Sequence, residues 1–239
     1  MTEKKYAAIV LAAGKGARMD STVPKQYLEL EGKPILYYSL LAFENSMVDE
    51  IILVAGKEDI EYCQKEIVEK YGFAKVSKVT AGGKERYHSV FSGLQELKRE
   101  ACVPDYVMIH DGARPLVDEA IILRSAEAVE EFQACVAGMP VKDTIKILDE
   151  YLFAVETPKR EYVWQMQTPQ TFEFSLIYEA YETLIHRENA GEVFHVTDDA
   201  MVAELICQKK VKLVEGSYRN IKITTPEDLK LAEVLLHIS

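Results

Sequence analysis

The stretch Ala7-Ala8-Ile9-Val10-Leu11-Ala12, running into Ala13-Gly14-Lys15-Gly16-Ala17-Arg18-Met19 and then Pro24-Lys25-Gln26, decides the fold class. A short unbroken run of branched and small apolar residues reads as a strand buried on both faces, the habit of a parallel sheet covered by helices on each side. It ends in small residues and glycines, so backbone N–H groups can approach a polyphosphate, with Arg18 and Lys25 offsetting its charge. Gly14 and Gly16 alone carry little. The dinucleotide pattern would need a third glycine where Met19 stands, and the Gly-Lys-Ser/Thr ending of a P-loop is missing. A tight turn beside surface cations is the bland alternative.

Working outward, similar runs at 51–55, 106–109 and 134–141 alternate with helical patterns at 35–43, 60–71, 85–99 and 118–132. Such alternation predicts right-handed crossovers and an α/β fold: a three-layer α/β/α sandwich around a mostly parallel, Rossmann-like sheet. The regularity breaks after Val141. Residues 142–163 read as a β-ribbon, with alternation in Thr-Ile-Lys-Ile-Leu and a turn at Asp149-Glu150. Too thin for a core of its own, this β-arm is expected to pack against another subunit. Further helices are expected at 173–187, 198–206 and 226–237, the last announced by Thr225-Pro226-Glu227-Asp228. The chain therefore reads as one domain, 1–239, carrying an arm at about 142–163.

A net charge of −11 argues against nucleic acid or an anionic membrane as partner, so an enzyme for anionic substrates must gather its cations locally. No apolar run approaches the roughly 18 residues of a membrane span, and the opening Met-Thr-Glu-Lys-Lys-Tyr lacks signal-peptide layout. A cytoplasmic protein is expected. Cys63, Cys102, Cys135 and Cys207 are too scattered for a metal site and read as plain thiols.

Three more constellations carry chemistry. Ile109-His110-Asp111-Gly112-Ala113-Arg114-Pro115 follows an apolar strand, where ligands of open α/β sheets gather. Asp111 there can hold Mg²⁺ between phosphates and Arg114 can grip a phosphomonoester, while His110 reads as a packed strand-end histidine rather than a general base. In Gly82-Gly83-Lys84-Glu85-Arg86-Tyr87-His88-Ser89 two glycines open a helix, and its N–H groups with Ser89 can hold a nucleobase or ribose. Finally come Arg160, Gln167-Thr168-Pro169-Gln170, Thr197-Asp198-Asp199 and Asn220-Ile221-Lys222-Ile223-Thr224. Lys222 alternates with two isoleucines in an expected short strand and is either a phosphate cation or a solvated lysine. Asp198 and Asp199 open a helix and can serve its dipole alone.

In this order the motifs resemble the 2-C-methyl-D-erythritol 4-phosphate cytidylyltransferases of the non-mevalonate isoprenoid pathway, over about residues 6–236. The resemblance implies that CTP and a polyol phosphate are joined with release of pyrophosphate. Ala12, Ala13, Gly14, Gly16, Gly83 and Ser89 would line the nucleotide side. Arg18, Lys25 and Lys222 would stabilise the triphosphate and its transition state, with Asp111 beside Mg²⁺ or another divalent cation. The acceptor would meet Arg114, Thr144, Arg160 and Thr168, Thr144 and Arg160 reaching across from a partner's arm in a homodimer. Lys84 departs from the family's form, which can have an acidic residue there. Ribitol-5-phosphate cytidylyltransferase is the close alternative; a nucleotide-binding regulator without turnover and a nicotinamide dehydrogenase are the others. Leu-Ala-Ala-Gly and His-Asp-Gly-Ala-Arg-Pro favour the erythritol enzyme.

Overall fold

Each apolar run singled out above is a strand of one seven-stranded sheet. The structure is a computed structural model that describes residues 4–14, 24–99 and 103–238; Gly16, Arg18 and Cys102 lie outside the described residues. In chain order the first half holds β1 (Tyr6–Ala12), a small β2 (Glu29–Leu30) and β3 (Lys33–Pro34) hairpin, α1 (Ile35–Glu44), β4 (Glu50–Ala55), α2 (Ile60–Tyr62), β5 (Val76–Ala81), α3 (Arg86–Arg99) and β6 (Tyr106–Asp111). The second half holds α4 (Glu119–Phe132), β7 (Ala134–Pro140), β8 (Ile147–Leu148), β9 (Ala154–Glu156), β10 (Trp164–Glu173), α5 (Phe174–Asn189), α6 (Asp199–Cys207), β11 (Lys212–Glu215) and α7 (Pro226–Leu236).

The sheet order is β11-β7-β10-β6-β1-β4-β5. β6, β1, β4 and β5 run parallel, as do β11 and β7, and β10 is antiparallel to both its neighbours. The mostly parallel three-layer sandwich is thus present, with one antiparallel strand wedged into it. Side-chain alternation along β1 sorts the core. Tyr6, Ala8, Val10 and Ala12 face a cluster containing Leu40 of α1 and Ile122 of α4, whereas Ala7 and Ile9 face Leu94 of α3 and Ile177 of α5. A satellite cluster of Leu30, Ile35, Ile223 and Ala232 pins α7 and the preceding chain to the small hairpin.

Four expectations needed correction. The helix at 60–71 continues beyond α2 as a π-helical stretch, Cys63–Glu69. The ribbon within 142–163 pairs only β8 with β9, its turn held by Asp149 accepting from the N–H groups of Tyr151 and Phe153. No strand forms at 220–224; the segment is irregular and fixed by isolated hydrogen bonds. β5, β10 and β11 carried no apolar run and were not anticipated. Asp118 and Thr225 do cap α4 and α7, the latter in a full capping box.

Gly93 sets how closely α3 lies on β1. A Cβ there would fall 2.8 Å from Ile9 Cγ2 and 3.1 Å from Ile9 Cδ1, and Ile9 is fully buried. Gly93→Ala is therefore expected to destabilise by about 1–3 kcal/mol through overpacking, despite the better helix propensity of alanine. Urea denaturation checks this; unchanged or raised stability would mean that the α3–β1 contact can relax.

Candidate active site

Parallel strands that share a direction also end together, so the loops after β1, β5 and β6 meet at one edge of the sheet. There they enclose a cleft of about 440 Å³ whose lining includes Ala12, Ala13, Gly14, Lys25, Gly83, Ser89, Asp111 and Lys222. These are the sequence-selected residues that the fold brings together. Arg114, Thr144, Arg160 and Thr168 are absent from that lining.

The nucleotide-side wall is a close approach of two loops. A Cβ on Gly82 would fall 2.4 Å from Ala13 Cβ and 2.8 Å from Ser89 Oγ, so only glycine fits between them. Ser89 Oγ accepts from the Gly83 N–H at 3.1 Å and donates to the Glu85 carbonyl at 3.3 Å, which shapes the loop ahead of α3. On the opposite side the Gln26 amide donates to the Ala12 carbonyl at 2.6 Å, and Lys25 Nζ donates to the Ile223 carbonyl at 3.0 Å.

Asp111 is the electrostatic centre. Only 8% exposed, its carboxylate meets Lys222 Nζ at 2.9 Å and Arg114 Nε at 3.5 Å through Oδ2, and Arg86 Nε at 3.5 Å through Oδ1. Burial pushes its pKa up, but the charges of Arg86, Lys222 and Arg114 outweigh this and hold it far below the usual carboxylate range. Lys222 reaches it without a β-ladder because its neighbours are tied down. The Asn220 amide donates to the Thr168 carbonyl at 2.8 Å, the Asn220 carbonyl accepts from Arg114 Nη1 at 2.8 Å, and the Ile223 N–H donates to the Ala113 carbonyl at 2.9 Å. Ile221 and Ile223 pack into the satellite cluster, so Lys222 points the other way.

Thr168, expected at the acceptor, is buried; its hydroxyl accepts from the Asp111 N–H at 3.1 Å and sits 3.0 Å from His110 Nδ1. His110 Nε2 lies 3.2 Å from the Arg114 carbonyl, which can only accept. The proton must therefore be on Nε2, leaving Nδ1 to accept from Thr168. Thr168 and His110 thus hold the Asp111 backbone rather than face the cleft. Arg160 Nη1 donates to the Lys142 carbonyl at 3.1 Å, and Thr144 and Arg160 both stand exposed on the arm.

Sequence reasoning missed Arg86 and left the role of Asp199 open. Arg86 lines the cleft, and its two terminal nitrogens each lie 2.7 Å from a carboxylate oxygen of fully buried Asp199. Tyr181 hydroxyl also donates to Asp199. The helix-capping role belongs to Asp198, which accepts from Met201 N–H. Nothing local to 86 or 199 could have announced the pair, because they are 113 positions apart.

No group of three or more His, Cys, Asp or Glu among the described residues could hold a metal by itself. The single Asp111 carboxylate still suits Mg²⁺, which keeps several waters and takes one or two carboxylates plus substrate phosphates. Among the described residues no helix is long and apolar enough to cross a membrane.

Comparison with known proteins matches residues 6–238 to the family described as IspD, 2-C-methyl-D-erythritol 4-phosphate cytidylyltransferase. The chain is 52% identical over 230 residues to the protein of that name from Lachnospira eligens, covering 96% of this chain and 98% of the relative. It is 49% identical over 233 residues to the one from Lachnoclostridium phytofermentans, covering 98% and 97%. Among solved structures, 4-diphosphocytidyl-2C-methyl-D-erythritol synthase from Anaerococcus prevotii superposes with a TM-score of 0.83 at 36% identity, covering 98% of this chain and 97% of that one.

Burial lowers the His110 pKa to about 4. The unfolded chain takes up this proton near 6.5, so stability carried by His110 is full above about pH 6.5 and is lost as pH falls toward about 4. Imidazole NMR at about pH 5.5 is expected to find His110 neutral as the Nε2–H tautomer, and a charged ring there would refute the hydrogen-bond assignment.

Proposed function

We propose a function from one premise: this chain belongs to the 2-C-methyl-D-erythritol 4-phosphate cytidylyltransferase family. It joins CTP to 2-C-methyl-D-erythritol 4-phosphate, giving 4-diphosphocytidyl-2-C-methyl-D-erythritol and pyrophosphate, in isoprenoid biosynthesis. At the level of the site this reading is carried by one observation: a glycine-walled cleft in which Asp111 and Lys222 meet beside Lys25.

The acceptor phosphate has a second pKa of about 6 and is a dianion at neutral pH, so it attacks the α-phosphorus of CTP without a general base. A neutral, buried His110 agrees with that requirement. The obstacle is repulsion between nucleophile and triphosphate. Lys25 and Lys222, with Arg18 assigned from sequence alone, bind the phosphates and stabilise charge building on the leaving pyrophosphate. Ala12, Ala13, Gly14, Gly83 and Ser89 hold the nucleotide, as does Gly16 on the sequence pattern. Asp111 would hold a divalent cation, which supplies further neutralisation between phosphates. Arg114 adds charge beside Asp111, and Thr168 acts by fixing the Asp111 backbone.

The arm is proposed to dimerise, bringing Thr144 and Arg160 to the acceptor in a partner's cleft. Support comes from its apolar surface: Val155, Phe153, Tyr151, Tyr162 and Leu152 are 63%, 72%, 73%, 77% and 79% exposed, an unusual density for a thin ribbon left in water. A cytoplasmic location belongs to the same reading, supported by free thiols at Cys63, Cys135 and Cys207.

Pyrophosphate release with Mg²⁺ and CTP, offering methylerythritol 4-phosphate and ribitol 5-phosphate in parallel, tests the reaction; preference for ribitol phosphate would overturn the acceptor. Lys222→Ala is expected to lose on the order of a hundredfold in turnover, and a loss of only a few-fold would sink the role given to it. Sedimentation velocity should find a dimer, and Arg160→Ala should raise KM for the acceptor while sparing that for CTP. A fully active monomer would refute the shared site.

A further inference from the structure

Arg86 stands between two carboxylates and treats them unequally. A guanidinium fork pairs most strongly with a carboxylate through two parallel N–H···O bonds at about 2.7–2.9 Å. Asp199 receives that pairing, with both terminal nitrogens at 2.7 Å, whereas Asp111 Oδ1 gets only Nε at 3.5 Å. Asp199 wins because it is held in place. It is the first residue of α6, whose start is locked by the Asp198 cap and by Gln170, which donates to Asp198 at 3.1 Å and accepts from Ala200 N–H at 2.8 Å. Tyr181 adds its hydroxyl from α5. The other oxygen of Asp111, Oδ2, is engaged by Lys222 and Arg114. Oδ1 is consequently the less engaged oxygen of a carboxylate that lines the cleft.

We propose that Asp199 is a positioning residue for the divalent-cation site: by occupying the fork of Arg86 and cancelling its charge, it keeps Asp111 Oδ1 open to the ion. This rests on the functional reading above. Without Asp199, Arg86 has one carboxylate left to pair with, and its fork turns onto Asp111. The cleft also gains an uncompensated positive charge, which repels a metal and attracts a free triphosphate.

The test uses Mn²⁺ as the probe, its binding in the presence of CTP followed by electron paramagnetic resonance, alongside calorimetric binding of metal-free CTP. Asp199→Asn is expected to weaken Mn²⁺ binding by about ten- to a hundredfold, the usual cost of losing an outer partner of a metal site, while metal-free CTP binds at least as tightly as to wild type. The double variant Asp199→Asn/Arg86→Gln removes the competing fork and should return Mn²⁺ affinity to within a few-fold of wild type. General damage to the fold would instead weaken both ligands together. Mn²⁺ affinity unchanged in Asp199→Asn, or no better in the double variant than in the single, overturns the inference. If Asp199→Asn does not fold, Tyr181→Phe, which loosens Asp199 by one hydrogen bond, is expected to weaken Mn²⁺ a few-fold with CTP binding retained, and wild-type affinity there overturns it. Turnover measured on the same wild-type preparation separates the two readings. Turnover with a flat Mn²⁺ series defeats only this inference, and the expected series without turnover of methylerythritol phosphate defeats only the acceptor assignment.

Discussion

A carboxylate removed from water is costly unless opposite charge comes with it, and Asp111 is the place where this protein meets that condition. Arg86 arrives from the start of α3, Arg114 from the loop after β6, and Lys222 from the irregular segment before α7. None of the three is close to another in sequence, so the site exists only when the sheet, α3 and the C-terminal segment are all in place. The same arrangement explains how a chain of net charge −11 can attract a triphosphate: Lys25, Arg86 and Lys222 are gathered at one edge of the sheet.

Neutral polar groups make the charged ones reliable. Thr168 and His110 fix the Asp111 backbone from beneath, and Asn220 joins the Lys222 segment to the Thr168 carbonyl. Both ties depend on β10 lying between β6 and β7, where its ladder with β7 skips from Met166 to Gln170 and leaves Gln167 and Thr168 free to turn their side chains elsewhere. The antiparallel strand that interrupts an otherwise parallel sheet is therefore also the strand that carries the site's inner support.

Legibility followed the range of the interactions. The strands at 7–12, 51–55, 106–109 and 134–141 were readable because burial on both faces demands continuous apolar residues, and the helices because an amphipathic face repeats locally. β5 and β11 were not, since edge strands of composition Val-Ser-Lys-Val-Thr-Ala and Lys-Leu-Val-Glu need no such run. β10 hid behind glutamines and a proline whose partners lie elsewhere in the chain. The short strand expected around Lys222 was an error of mechanism: alternation there comes from two isoleucines anchored in the satellite cluster, not from a ladder. Thr168, expected at the acceptor, is buried with its hydroxyl on the Asp111 N–H, a contact 57 positions away that no local pattern announces.

The sequence by itself determined the layer architecture, the glycine-rich approaches to a phosphate ligand, and the identities of Asp111, Lys25 and Lys222 as candidates, because each rests on periodicity or on chemistry carried by a few adjacent residues. Only the tertiary structure decided which oxygen of Asp111 meets which cation, that Asp199 pairs with Arg86, and that His110 is a neutral strut. Those outcomes depend chiefly on pairings at long range, 25 positions for Arg86 with Asp111 and 113 for Arg86 with Asp199, where one strand's register or one helix's depth selects the partner and no local pattern can.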